Sequence, residues 1–152
     1  MVALLYVLVP QNLIMGQAKD EATMQIVGTW KVVDSLDVHT TSCFEGTPPD
    51  LHPINEVVHY SRSAVTIDGR RFRVRRYALD RVSIDDFVGM FGFEPSRIPV
   101  KAHNAQVINV ELEDKNAKGL ETASIIIKDK NEIVLNWYCT YFIARRANLV
   151  PR

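Results

Sequence analysis

Residues that carry catalysis or bind metals are few in this chain, and they stand apart. There are two cysteines and four histidines, and no two histidines have the i,i+2 or i,i+4 spacing typical of a metal site. The nucleophile motif Gly-x-Ser-x-Gly is absent, and neither cysteine lies in a reactive context. We therefore predict no metal, no cofactor and no catalytic residue, and an enzyme ranks lowest among the function classes.

Net charge is also lacking. Eighteen basic and eighteen acidic side chains cancel, so bulk charge directs the protein toward neither nucleic acid nor a membrane surface. No apolar run reaches the ~20 residues that a bilayer-spanning helix requires. The 152 residues, of which 47% are hydrophobic, fit one globular domain with a sizeable core.

The first eighteen residues differ in composition from the rest. Residues 1–15 are mostly apolar and carry no charge, Gly16-Gln17-Ala18 supplies small residues at the end, and charge begins at Lys19. This pattern is typical of a secretory signal that is cut after Ala18. We expect a secreted or periplasmic protein whose mature domain spans residues 19–152. The alternative is an N-terminal arm packed on the domain.

The two cysteines are a possible disulfide. Cys43 lies in the loop after the first predicted strand, and Cys139 lies just before the last one. Export would permit a bridge between them. Two unpaired thiols are the alternative, and only geometry decides between these outcomes.

Alternating apolar and polar residues predict about eight β-strands. They span 26–36, 56–60, 64–67, 70–79, 106–113, 122–128, 132–137 and 140–146. Asp68-Gly69 has the composition of a tight hairpin turn, and residues 83–91 have the helical period, with Ser83 as the N-terminal cap. Eight strands are enough to close a barrel, so we predict an all-β, antiparallel up-and-down barrel with one short helix.

Three residues give this pattern a family resemblance. Gly28 and Trp30 form a Gly-x-Trp in the first strand, and Arg146 ends the last strand. This combination resembles the lipocalin (calycin) superfamily, and residues 136–146 are similar to small lipocalin-like proteins that bacteria export. The resemblance implies that the guanidinium packs on the indole and closes one end of the barrel. Arg146 is favoured over Arg145 because it shares a face with Phe142 and Ala144.

A barrel lined by alternating apolar residues offers a concave site for a small apolar or amphipathic molecule. We predict ligand binding in the lumen without catalysis, with the helix residues Phe87 and Phe91 as a lid. The predicted lining residues are Val32, Phe72, Val74, Val110, Ile125, Leu135 and Phe142. The alternative is an interior filled by the protein's own side chains.

The densest charge run offers a second possible function. On a strand, Arg71, Arg73 and Arg75 project from one face at a spacing of about 7 Å. They could bind a carboxylate, a phosphate or an acidic partner, or they could form an ordinary solvated exterior. The alternative function is therefore a protein-interaction or inhibitor module that uses this face or the proline-rich loop at 40–53. Its protein partner is not predictable from the sequence.

Overall fold

Eight antiparallel strands close into a barrel in the order in which they follow along the chain. The structure is a computed structural model that describes residues 23–36, 53–93, 95–98, 104–113, 123–137 and 140–147. The strands are β1 Gly28–Leu36, β2 Val57–Tyr60, β3 Ala64–Ile67, β4 Arg70–Ser83, β5 Asn104–Leu112, β6 Ala123–Ile127, β7 Glu132–Trp137 and β8 Thr140–Arg146. Helix α1 spans Ile84–Phe91, a 3-10 turn spans Pro95–Arg97, and a helical segment covers residues 23–26. The predicted fold class is confirmed.

Pairing between the first and last strands closes the barrel. Trp30 lies opposite Arg146, and Val32 lies opposite Ala144. β4 is longer than predicted because it continues to Ser83, with its first residues paired to β3 and the remainder to β5. Two register shifts interrupt the ladders, between Val32 and Asp34 in β1 and between Val74 and Arg76 in β4. Each shift inserts one extra residue and makes a β-bulge, which increases the local twist.

Every strand contributes apolar residues to one inner cluster, as the period-2 alternation of a closed sheet requires. The members include Trp30, Val58, Val65, Val74, Ile108, Ile125, Leu135 and Phe142, one from each strand. Ile26, from the helical segment before β1, joins the same cluster and is fully buried. The main core of the protein is therefore the barrel interior.

Helix α1 packs on the outside of the barrel wall. Ser83 caps it by accepting a hydrogen bond from the Asp86 backbone N–H, and Gly92 ends it with φ of 75°. Its buried residues Phe87 and Phe91 belong to a second cluster, with outward-facing residues of the wall. The wall residues of this outer cluster are Val82, Ala105, Val107, Ile126, Val134 and Tyr141.

This placement corrects the expected lid. The Phe87 and Phe91 ring centroids lie 4.6 Å apart, and the Tyr141 hydroxyl donates a hydrogen bond of 3.2 Å to the Phe91 carbonyl. Both rings are thus held against the outer face of the wall. The apolar face of the helix is buried against the outer wall, so Phe87 and Phe91 do not cover the lumen.

Three predictions fall outside the described residues. They are the signal segment at 1–18, the pairing of Cys43 with Cys139, and the proline-rich loop before Pro53. Each stays a prediction. No helix within the described ranges is long and apolar enough to cross a membrane.

Candidate functional site

One end of the barrel is closed by a stacked pair of side chains. The Arg146 guanidinium carbon lies 4.3 Å from the centroid of the Trp30 ring. Trp30 itself has no exposed surface, and its Nε1–H donates a hydrogen bond of 2.7 Å to the Ile26 carbonyl. The cation therefore sits over a buried indole whose own polar group is satisfied.

Arg146 also connects three chain segments at this end. Its guanidinium donates to the carbonyls of Gln25 at 2.6 Å, Val27 at 3.1 Å and Lys130 at 2.9 Å. Gly28 leaves the space that the side chain occupies: a Cβ there would lie 2.7 Å from Arg146 Nη1. The φ of Gly28 is +137°, a region that favours glycine. The Gly-x-Trp spacing thus has a steric reason in this chain.

The lumen next to this closed end is filled by side chains. Val32, Ile125 and Leu135 have no exposed surface, and they pack in the inner cluster. The other predicted lining residues are Val74, Val110 and Phe142, which lie in the same cluster, and Phe72, which is half-buried and pairs with Val65. The structure brings most of the predicted lining together, but a ligand has to displace side chains to lie among them.

Trp137 marks the other end of the lumen. It is the last residue of β7, pairs with Thr140 at the start of β8, and is 4% exposed. Its ring centroid lies 5.9 Å from that of Phe142. Within the described part of the chain, its Nε1–H has no hydrogen-bond acceptor. A buried donor without a partner costs about 1–3 kcal/mol, so an acceptor placed there would bind favourably.

Tyr77 and Glu56 are oxygen-bearing side chains whose pKa values are raised. The Tyr77 hydroxyl donates a hydrogen bond of 2.7 Å to the Ser61 carbonyl, and burial raises the pKa of Tyr77 to about 12. Glu56 follows a turn, and its carbonyl accepts a hydrogen bond from the Val32 N–H. Burial and then the nearby charge of Asp68 raise the pKa of the Glu56 carboxyl. Partial burial therefore disfavours the charged form of both side chains.

The predicted arginine face is divided by the bulge in β4. Arg71 and Arg73 pair with outward-facing positions of β3 and are exposed. Arg75 is the extra residue of the bulge, so it does not continue their row. It lines a cleft of about 260 Å³ together with Arg62, Arg76, Val74 and Tyr77 from the barrel and Thr23 and Met24 from the helical segment. The face predicted for a protein partner is therefore reduced to Arg71 and Arg73.

Sequence reasoning missed Trp137, Arg62 and Arg76 as candidate site residues. The alternation Ile133, Leu135, Trp137 indicates that the indole faces inward, so this signal was available. The absence of an acceptor is a property of the folded lumen and has no sequence signal. Arg62 and Arg76 are distant in sequence, and only the β2–β3 turn and the bulge bring them to one cleft.

Comparison with known protein families, with curated proteins and with solved structures finds no match to this chain. The closed eight-stranded antiparallel barrel is a finding of the structure. The lipocalin resemblance, carried by Gly28, Trp30 and Arg146, stays a prediction.

Proposed function

We propose that the protein is a lipocalin-like, exported barrel that binds a small amphipathic molecule in its lumen and does not catalyse a reaction. The observation that carries the proposal is the buried Nε1–H of Trp137, which has no acceptor among the described residues. In a lumen that is otherwise lined by apolar side chains, this donor is a specific feature that a ligand can recognise.

Two parts of the ligand follow from this arrangement. An apolar chain or ring of the ligand packs among the lumen side chains in place of their contacts with one another. Burial of its apolar surface stabilises the complex by about 25 cal/mol for each Å² removed from water. A carboxyl, carbonyl or hydroxyl oxygen accepts the hydrogen bond from Trp137 and removes the cost of the unpaired donor. The ligand is therefore apolar over most of its surface and carries at least one oxygen acceptor.

The direction of ligand entry follows from the two ends of β8. Arg146 is the last residue of β8 and closes its end over Trp30, whereas Trp137 pairs with Thr140 at the opposite end of the same strand. The ligand enters at the Trp137 end, because the other end is held by the three hydrogen bonds of Arg146. Rotation of the Trp137 and Phe142 rings opens the space that the apolar part of the ligand occupies.

A binding assay with two probes tests the proposal. Decanoic acid carries an oxygen acceptor, and naphthalene carries none. Trp137→Phe keeps an aromatic ring but removes the N–H. It should therefore lower the affinity for decanoic acid about tenfold and change the affinity for naphthalene less than twofold. Val110→Trp should abolish binding of both probes because it fills the lumen, where Val110 is 2% exposed.

Val57→Trp is the matched control. Val57 is 48% exposed and precedes the inward-facing Val58 in β2, so its side chain lies on the outer face and a tryptophan there adds the same bulk outside the lumen. Its affinities should equal those of the wild type. If the wild type binds neither probe, or if Val57→Trp is as damaging as Val110→Trp, the proposal is wrong.

Export is a separate part of the proposal. Its support is the apolar, uncharged segment that ends in Gly16-Gln17-Ala18. N-terminal sequencing of the protein from its native host should find Lys19 first. Retention of Met1 would overturn export and leave lumen binding untouched.

A further inference from the structure

A cleft beside the closed end of the barrel combines apolar walls with guanidinium groups. It lies between the helical segment at residues 23–26 and the bulge of β4, and its volume is about 260 Å³. Val74 and Tyr77 form part of its apolar wall, and each is 9% exposed. The Tyr77 hydroxyl is already bonded to the Ser61 carbonyl, so this residue offers its ring to the cleft. A volume of this size exceeds that of several water molecules.

Three guanidinium groups surround the cleft, and one carboxylate balances them in part. Arg76 Nη2 lies 2.5 Å from Glu111 Oε1. Arg62 Nη2 donates to the Met24 sulfur at 3.5 Å, and a thioether is a weak acceptor. The Arg75 side chain has no hydrogen bond or ion pair with any residue in the described ranges. The cleft therefore holds an excess of positive charge with unused N–H donors.

The bulge is the reason that these groups meet. In an unbroken β4, Arg75 would continue the outer row of Arg71 and Arg73, and Arg76 would face the lumen. The extra residue lets Arg75 and Arg76 both stay exposed beside the inward-facing Val74 and Tyr77. Bulges commonly redirect a side chain in this way next to binding sites.

We propose that this cleft is a binding site for the oxyanion group of a small amphipathic molecule, a carboxylate or phosphate attached to a short apolar chain. Arg62 and Arg75 donate charge-assisted hydrogen bonds to the oxyanion, and the chain lies on Val74, Tyr77 and Met24. The site shares Val74 and Tyr77 with the inner cluster, but it lies at the closed end of the barrel, opposite Trp137, and does not depend on that residue.

Calorimetric titration at low salt tests the site with hexanoate and hexyl phosphate as probes. Hexanol, which has the same chain without charge, and inorganic phosphate, which has no chain, are the reference ligands. Hexanoate and hexyl phosphate should bind at least about tenfold more tightly than either reference. The affinity should fall as ionic strength rises, because exposed charges are screened.

Four variants localise the binding. Arg62→Gln and Arg75→Gln should each lower the affinity for hexanoate about tenfold, because each removes a charged hydrogen-bond donor. Arg73→Gln is the matched control, since Arg73 is an exposed arginine of the same strand outside the cleft, and it should change the affinity less than twofold. Glu111→Gln should strengthen binding severalfold, because it frees the Arg76 guanidinium from its carboxylate.

Two results would overturn the proposal. One is a wild type that binds hexanoate no better than hexanol, and the other is equal weakening by Arg73→Gln and Arg75→Gln. Trp137→Phe and Val110→Trp separate this site from the lumen: both should leave hexanoate binding by the cleft unchanged. If they abolish it, hexanoate binds in the lumen and the cleft is not the site. All the arginines replaced are exposed, and circular dichroism should show the wild-type fold in each variant.

Discussion

Removing Trp30 and Arg146 singly and together should show that these side chains stabilise the closed end as one unit. Trp30 is fully buried in the inner cluster, so Trp30→Ala leaves a large cavity and should cost about 3–5 kcal/mol of unfolding free energy. It also leaves the Ile26 carbonyl without the indole donor.

Arg146→Ala should cost less than Trp30→Ala. The guanidinium is half-exposed, and its loss removes the contact with the indole and the hydrogen bonds to Gln25, Val27 and Lys130. Water can replace some of these bonds, so the expected cost is about 2–3 kcal/mol. The double variant should be less destabilised than the sum of the singles by about 0.5–2 kcal/mol, which is the range of a cation–π contact.

Urea unfolding followed by far-ultraviolet circular dichroism measures all three variants. If Trp30→Ala does not fold, Trp30→Phe and Arg146→Lys form a milder cycle, because lysine keeps the charge but not the forked donors. Arg145→Ala is the control, since its side chain is 67% exposed and pairs with Glu132. It should combine additively with Trp30→Ala. Strict additivity of Trp30→Ala with Arg146→Ala would refute the stacked unit.

Three further predictions concern other parts of the barrel. Gly28→Ala should destabilise by about 1–3 kcal/mol in thermal unfolding, because φ is +137° and the new Cβ meets Arg146; wild-type stability would contradict this steric argument. Burial alone would raise the pKa of Glu132, but hydrogen bonds and charge from Lys128 and Arg145 lower it on balance. The ion pairs therefore stabilise the fold above a pH of about 4.5, and this stabilisation is lost as the pH falls through the lower pKa of the folded state. Glu132→Gln should therefore show less loss of stability on acidification than the wild type in urea titrations below that pH, and parallel curves would contradict the assignment. Phe87→Ala should lower the free energy of unfolding by about 3–5 kcal/mol because the ring is fully buried. It should leave lumen binding of decanoic acid unchanged, and a selective loss of binding would show that Phe87 covers the lumen after all.

Local patterns predict most of this fold. Period-2 alternation fixes which side chains of a strand share a face, and the Asp68-Gly69 turn and the Ser83 cap fix where β3, β4 and α1 begin or end. The contact between Trp30 and Arg146 is predictable because a Gly-x-Trp in the first strand and an arginine at the end of the last strand together resemble the closure of a lipocalin barrel. These features depend on neighbours in sequence or on a motif of few residues.

The parts that sequence could not predict depend on long-range placement. The apolar face of α1 is evident from the sequence, but its period does not say which surface of the barrel it contacts, and in the structure it contacts the outer wall. Arg75 leaves the row of Arg71 and Arg73 because one extra residue enters β4, and counting by twos cannot detect a bulge. The unpaired donor of Trp137 exists only once the barrel has closed around it.

The two indole N–H groups of the protein provide the most direct test of ligand binding in the lumen. Trp30 and Trp137 are the only tryptophans, so a ¹⁵N-labelled sample gives two indole N–H signals, which Trp137→Phe assigns. The Trp30 N–H is bonded to the Ile26 carbonyl, and the Trp137 N–H is unpaired among the described residues. Titration with decanoic acid should move the Trp137 signal downfield, as a new acceptor requires, and leave the Trp30 signal in place. A Trp137 signal that stays fixed while decanoic acid binds would contradict the account.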